Sequence, residues 1–189
     1  STEDWNINGM WERIYKNITR ANSALKSLSG VSDDVPTKKQ RTAEMKFLRA
    51  HAHFLLKQLF KKLVIINNEN LTDEEYNNLS NFTYTNDEQW QKIIEDFQYA
   101  YENLPVTQNE VGRPSKAAAA AYLAKAYLYK AYRQDDENSN RVTEINANDL
   151  QQVIKYTDRQ IYEEAGFDLE DDFAYNFLPD MENGKESLC

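Results

Sequence analysis

Cysteine, histidine, glycine and proline are all scarce in this chain. Its 189 residues include one cysteine, two histidines, five glycines and four prolines. The single cysteine, Cys189, cannot form an intramolecular disulfide, and an all-β sandwich or barrel needs far more turn-forming residues than are present. No apolar run approaches the length of a membrane-spanning helix. These shortages argue against disulfide-stapled, all-β and membrane-spanning folds.

Positive charge is also in short supply. Lysine and arginine number 22 against 31 aspartates and glutamates, which gives a formal net charge of −9. Such a chain cannot replace the counterions along a phosphate backbone, so we expect no nucleic-acid partner. The mean hydropathy of −0.80 would suit a disordered chain, but 8 Phe, 3 Trp and 12 Tyr supply ample surface for a core. The composition therefore predicts an acidic, folded domain.

Apolar residues recur at helical spacing in five segments of the chain. One such stripe runs from Trp11 to Leu28 at intervals of three and four residues. Pro105 ends the third segment, Pro114 opens the fourth, and asparagines crowd the connection at 65–85. We predict an all-α fold. The expected helices lie at about 8–28, 37–63, 86–104, 114–133 and 148–165.

The first and third of these segments share a pattern. Each begins with a tryptophan, Trp11 or Trp90, and has an alanine, Ala21 or Ala100, ten positions later. A bulky residue followed by a small one where a partner helix crosses closely is typical of tetratricopeptide repeats, although their period is about 34 residues. We therefore predict degenerate tetratricopeptide-like helix-turn-helix pairs with long loop insertions, in a single all-α region over residues 1–189. The alternative is a coincidence between two amphipathic helices.

The residues that usually carry catalysis or bind metals do not form a recognisable set. His51 and His53 are two positions apart on one helix and so face away from each other, which prevents them from sharing a metal. The segment from Asp136 to Asn140 resembles the start of a calcium loop, but Arg141 stands where that loop needs glycine. The glycines are too scattered for a phosphate-binding loop, while a carboxylate pair for glycoside hydrolysis stays open although no two acids stand out. We expect no catalytic residue, no metal and no cofactor.

Arg49 lies within the most apolar stretch of the second segment, between Leu48 and Ala50. A buried guanidinium is costly unless carboxylate or carbonyl oxygens accept its hydrogen bonds. We expect Arg49 to pair with such a group inside the protein, and contact with a bound ligand is the alternative.

Four residues are candidates for contact with a ligand. Trp5 precedes the first helix beside Asn6 and Asn8, and Tyr76 lies in the asparagine-rich connection. Exposed aromatic rings can stack on the C–H face of a sugar while neighbouring amides hydrogen-bond its hydroxyl groups. We predict that these four residues contribute to a carbohydrate site, and ordinary packing of loops onto the helices is the alternative.

Five segments of the chain have the residue patterns of one known family. The two most specific are Ala43-Glu44-x2-Phe47-Leu48-Arg49-Ala50-x3-Phe54 and Gly112-Arg113-Pro114-Ser115-Lys116-x-Ala118-Ala119. The others are Ile14-Tyr15-x2-Ile18-x2-Ala21-Asn22, Asp96-x3-Ala100-x3-Leu104-Pro105 and Glu186-Ser187. Together they span nearly the whole chain, and in this order they resemble the SusD/RagB family of Bacteroidetes proteins.

The resemblance implies a glycan-binding lipoprotein of an outer-membrane nutrient-uptake system rather than an enzyme. Its helical face would dock a SusC-like TonB-dependent transporter, and the protein would capture an oligosaccharide or another nutrient and pass it inward. Family members are longer, so we expect this chain to be an internal or amino-terminal portion of a parent protein, the portion that contains the tetratricopeptide-like helices. A lipid anchor absent from this chain would hold that parent at the outer face of the outer membrane. The family's ligand residues vary, and none is assigned to this chain by motif.

Two alternatives come from other functional classes. A generic tetratricopeptide-like scaffold would bind a peptide or a partner protein in the groove between its helices. An enzyme would need a set of catalytic residues that the sequence does not display.

Overall fold

The chain folds into successive α-helices joined by long loops and one short hairpin. A computed structural model describes residues 5–137 and 140–188. Its α-helices are α1 (Trp5–Ser29), α2 (Lys38–Leu59), α3 (Asp73–Asn77), α4 (Asn86–Asn103), α5 (Lys116–Ala131), α6 (Ala147–Tyr156) and α7 (Arg159–Glu163). Strands β1 (Tyr132–Gln134) and β2 (Val142–Ile145) form an antiparallel hairpin, and two 3₁₀ turns follow at Phe173–Phe177 and Pro179–Met181. The predicted all-α class is confirmed.

The longer helices pack in chain order, each against the one before it. Helix α1 packs on α2, α2 on α4, α4 on α5, and α5 on α6. The first two helices and then α4 and α5 therefore form two helix-turn-helix pairs, and the contact of α2 with α4 joins the pairs. The connection at 60–85 is the long insertion between them. This is the tetratricopeptide-like arrangement that the sequence predicts.

Two clusters of buried side chains hold the helices together. The larger lies between α2, α4, α5 and α6 and contains Phe97, Ala100 and several alanines of α5. The smaller joins α1 and α2 to the connection that follows α2, through Ile18, Leu56 and Leu63. Ala21 and Ala100 are both buried, where a small side chain lets neighbouring helices approach closely. None of the described helices combines the length and the apolar surface that a bilayer crossing requires.

The two tryptophans of the repeat pattern occupy corresponding positions. Trp11 in α1 contacts Phe60, just past the end of α2, with ring centroids 4.7 Å apart. Trp90 in α4 contacts Tyr129 near the end of α5, with ring centroids 5.2 Å apart. In each pair the leading tryptophan of the first helix therefore covers the end of the second helix.

Side-chain caps explain where the helices begin. Thr85 accepts a hydrogen bond from the backbone N–H of Glu88, and the Glu88 carboxylate accepts one from the N–H of Thr85. Ser115 caps α5 and Asn146 caps α6, each accepting a bond from a backbone N–H in the first turn. These caps satisfy N–H groups that have no partner within the helix.

The helix predicted at 148–165 is wrong as a continuous element. It stops at Tyr156, because Thr157 leaves the helical conformation and its hydroxyl bonds back to the carbonyl of Val153. Asp158 then caps the separate helix α7 by accepting a bond from the N–H of Gln160.

Two other helices end earlier than the sequence predicts. The helix predicted at 37–63 ends at Leu59, because Phe60 is extended and Leu63 turns into the core instead of continuing the helix. The helix predicted at 114–133 ends at Ala131, because the next residues pair with β2. The sequence interpretation also omitted the hairpin, and it omitted α3 within the asparagine-rich connection.

Candidate functional site

The four predicted ligand residues lie along the amino-terminal part of the structure. Trp5 and Asn6 begin α1, but their side chains are outside the described part of the chain. Asn8 is exposed on the same helix. Tyr76 lies in α3 with 50% of its surface exposed, at the wall of a groove between α1 and the connection after α2. Of the four, Tyr76 is therefore the residue that the structure places in a described groove.

This α1–α3 groove has a volume of about 430 Å³ and is bounded by Trp11, Tyr15, Val64, Tyr76 and Leu79 among others. The Tyr15 hydroxyl donates to the carbonyl of Val64 and accepts from its N–H, both at 2.9 Å. Burial raises the pKa of Tyr15 to about 12, so the hydroxyl stays protonated and keeps both bonds. From the sequence, Tyr15 belongs to the apolar stripe of the first helix and to one of the family-like segments. Its bond to Val64 could not be predicted, because the two residues are 49 positions apart.

Arg49 is fully buried and is held by groups from three other parts of the chain. Its Nε and Nη2 atoms donate to the two carboxylate oxygens of Asp96 in α4, at 2.7 and 2.9 Å. Its Nη1 atom donates to Asn22 in α1 at 2.6 Å and to Glu69 in the connection at 3.1 Å. Lys46 adds a further bond to Asp96 at 3.1 Å. The guanidinium therefore ties α1, α2, α4 and the connection together.

The two most specific of the resembling segments meet at Glu44. This buried carboxylate accepts hydrogen bonds from Arg41 at 2.7 Å and from Arg113 at 3.0 Å. Gln108 links the same loop, donating to the carbonyl of Pro114 at 2.7 Å and lying 3.4 Å from Glu44. Hydrogen bonds thus connect the start of α2 to the loop between α4 and α5. These contacts explain why the two sequence motifs occur together in one chain.

The two histidines have different environments. His53 is buried, and its Nε2 atom accepts a hydrogen bond from the N–H of Ile66 at 3.2 Å. Burial lowers the pKa of His53 to about 4, so the ring is neutral. His51 is half-buried beside Tyr122, with ring centroids 4.9 Å apart. Across residues 5–137 and 140–188 no group of three or more His, Cys, Asp or Glu side chains could hold a metal ion.

The amino-acid sequence is similar to proteins of one family. A SusD-like family model described as "Starch-binding associating with outer membrane" matches residues 1–128. A SusD-like protein of Bacteroides ovatus is 29% identical over 191 residues, which cover 98% of this chain and 32% of that protein. SusD-like protein P2 of Formosa agariphila is 31% identical over 185 residues, which cover 96% of this chain and 33% of that protein. The chain thus spans about a third of the length of the curated relatives it matches.

Solved structures share the helical arrangement. A SusD-like carbohydrate-binding protein from Bacteroides fragilis, 25% identical, matches with a TM-score of 0.77 over 100% of this chain and 33% of its own. A laminarin-binding SusD-like protein, 27% identical, has a TM-score of 0.65 over 86% of this chain and 32% of its own. A protein solved with a xylogluco-oligosaccharide, 26% identical, has a TM-score of 0.71 over 90% of this chain and 32% of its own.

Removing the partner of Arg49 should destabilise the fold strongly. Asp96→Ala leaves a buried guanidinium without its two carboxylate bonds, and we expect the free energy of unfolding to fall by about 3–5 kcal/mol. The neighbouring Glu95→Ala is a matched control, since it breaks an exposed pair with Lys92 and should cost at most about 1 kcal/mol. Urea unfolding followed by circular dichroism measures both variants. Equal losses would contradict a structural role for the buried pair.

Acid should destabilise the protein partly through His53. An unfolded histidine takes up a proton near its ordinary pKa of 6.5, whereas folded His53 stays neutral until about pH 4. The unfolded state therefore binds more protons in this interval, and the free energy of unfolding falls as the pH drops from 6.5 to 4. We expect His53→Gln, which can still accept the bond from Ile66, to reduce this loss by on the order of 1–3 kcal/mol. The measurement is the free energy of unfolding of the wild type and of His53→Gln between pH 6.5 and 4. An equal decrease in both proteins would refute the prediction.

Proposed function

The chain belongs to the SusD-like family, and we propose that it is the helical platform of a non-enzymatic glycan-binding protein in an outer-membrane uptake system. The observation that carries the proposal is the shared helical array. It occurs in a relative described as laminarin-binding and in another solved with a xylogluco-oligosaccharide. The ligand in this proposal is an oligosaccharide, as in the relative solved with a xylogluco-oligosaccharide.

The proposed carbohydrate contacts are Trp5, Asn6, Asn8 and Tyr76. The α1–α3 groove supports the last of these, because it presents the half-exposed ring of Tyr76 close to the fixed ring of Tyr15. Aromatic surface with few charges suits the C–H face of a sugar ring.

The proposed partner is a SusC-like TonB-dependent transporter, with the parent protein held at the cell surface by a lipid anchor. The outer side of the first helix pair supports such docking. It carries a groove of about 440 Å³ lined by Ile14, Met45, Leu48, Ala52 and Leu55 among others. Leu48 and Leu55 are 46% and 37% exposed, and adjacent exposed apolar residues on a rigid surface are typical of protein contacts. This α1–α2 face is our proposed docking surface.

The α1–α2 face also favours a second candidate function. A tetratricopeptide-like scaffold would use the same apolar surface to bind a partner protein and would bind no carbohydrate. The two candidates therefore differ in carbohydrate binding and not in the presence of a docking surface.

We expect the full-length protein that contains this chain to be retarded in gels that contain a polysaccharide such as xyloglucan or laminarin. Bound oligosaccharide should be recovered at its original length, since the proposal includes no catalysis. Serum albumin in the same gels controls for sieving. Unchanged mobility with every polysaccharide tested would favour the scaffold, and shortened products would indicate an enzyme.

Charge placed on the α1–α2 face should weaken docking. We expect Leu48→Glu combined with Leu55→Glu to reduce co-purification of the transporter at least tenfold, because two carboxylates would be buried at an apolar contact. Ile154→Glu is the control, since Ile154 is an exposed apolar residue of α6. Unchanged co-purification of the double variant would exclude this face as the docking surface.

A further inference from the structure

A second groove lies where α2 and α5 end and α4 begins. It has a volume of about 270 Å³ and is lined by residues of all three helices and of β1, including Lys57, Phe60, Trp90, Tyr129 and Tyr132. Because two half-exposed tyrosines form its wall, we refer to it as the tyrosine groove. It is separate from the α1–α3 groove that contains Tyr76.

The Tyr129 ring is exposed but held in one orientation. Its ring stacks on the buried ring of Trp90, with centroids 5.2 Å apart and an interplanar angle of 16°. Phe54 packs edge-on against both rings, at 5.8 Å from each. Gln58 donates a hydrogen bond to the Tyr129 hydroxyl at 3.1 Å. The free face of a ring fixed in this way is a preformed stacking surface, and 47% of Tyr129 remains exposed.

Tyr132 extends this aromatic surface onto the hairpin. It lies three residues after Tyr129, at the start of β1, and is 42% exposed. Partly buried ion pairs between Lys61 and Asp135 and between Lys62 and Asp136 tie the hairpin to the segment after α2. The wall that carries Tyr132 is therefore anchored to the opposite side of the groove.

The polar groups of the groove are suited to a neutral ligand. Lys57 directs its ammonium group at protein oxygens: Oδ1 of Asn86 at 2.6 Å, Oε1 of Gln89 at 3.1 Å, and the carbonyl of Lys61. Its hydrogen-bonding capacity is thus used within the protein. The side-chain amides of Gln58 and Gln134 line the groove. Each uses one N–H within the protein, toward the Tyr129 hydroxyl and the Asn140 carbonyl respectively, which leaves a second N–H and the amide oxygen for a hydroxylated ligand.

We propose that the tyrosine groove is a carbohydrate subsite that binds one neutral sugar residue of an oligosaccharide. The sugar ring stacks on the exposed face of Tyr129 beside Tyr132, and the amides of Gln58 and Gln134 hydrogen-bond its hydroxyl groups. The volume is below the lower end of ligand sites, about 300 Å³, and therefore suits a single residue. This inference rests on the proposed glycan-binding function and adds a site that the sequence interpretation did not include.

Tyrosine variants test the subsite in the full-length protein. In polysaccharide gels we expect Tyr129→Ala combined with Tyr132→Ala to weaken retardation at least fivefold, whereas Tyr129→Phe, which keeps the ring, should bind almost as wild type. Phe173→Ala removes an exposed aromatic residue elsewhere and is the control for non-specific aromatic contact. If Tyr129→Ala alters the melting curve, Tyr132→Ala and Gln58→Ala replace it, since both side chains are exposed.

A direct titration separates failure of the subsite from failure of the wider function. The indole N–H signal of Trp90, assigned with Trp90→Phe, is followed by NMR while glucose, xylose or galactose is added to high millimolar concentration. A saturable shift supports the subsite even if no polysaccharide retards the protein. An unmoved signal with all three sugars overturns the subsite. Wild-type retardation of the double tyrosine variant in a polysaccharide gel also overturns the subsite, but it leaves the proposed glycan binding intact.

Discussion

The buried ion pair between Arg49 and Asp96 is the contact on which the rest of the structure depends. Arg49 lies on α2 and Asp96 on α4, so the pair crosses the boundary between the two helix-turn-helix units. The same guanidinium also holds Asn22 of α1 and Glu69 of the connection. A buried charge with hydrogen bonds in several directions tolerates little change in helix position, because any displacement would leave part of it unsatisfied. Loss of one partner is therefore costly, because it leaves the other charge buried without its hydrogen bonds.

The insertion between the two helix pairs lines both of the grooves for which we propose carbohydrate binding. After Phe60 the chain leaves α2 and runs beside α1, where Val64 bonds to Tyr15 and forms one wall of the α1–α3 groove. The beginning of the same insertion, at Phe60 and Lys61, lines the tyrosine groove on the side of α4 and α5. One extended segment therefore separates two aromatic grooves. Because its backbone is held by buried side chains such as Gln89, which donates to the carbonyl of Leu63, both grooves are preformed.

This arrangement is consistent with binding by rigid surfaces. The most deeply buried charged groups of the described residues, Arg49, Asp96 and Glu44, join α2 to α4 and to the loop before α5. The exposed rings of Tyr76, Tyr129 and Tyr132 lie at the two grooves. The matching family model is described as starch-binding, and we propose a carbohydrate ligand for these grooves and a protein partner for the apolar α1–α2 face. In the proposed function, carbohydrate binding and transporter docking would use different sets of residues on one helical array.

Sequence periodicity was sufficient for the helical class, for the two Trp-led pairs and for the need of Arg49 to find a partner, because these depend on residue spacing and on the cost of burying charge. The segments that resemble the SusD family also predicted the family. Local patterns could not predict that Asp96 would be that partner, that α2 would stop at Leu59, or that residues after Ala131 would form a hairpin. Arg49 and Asp96 are 47 residues apart, Leu63 is held by Gln89 26 residues further on, and the hairpin forms only where Tyr132 meets Ile145. The sequence did not predict the tyrosine groove for the same reason. Trp90, Tyr129 and Gln58 come together only where the start of α4 meets the ends of α2 and α5. Tertiary packing alone decides which aromatic rings stay exposed there.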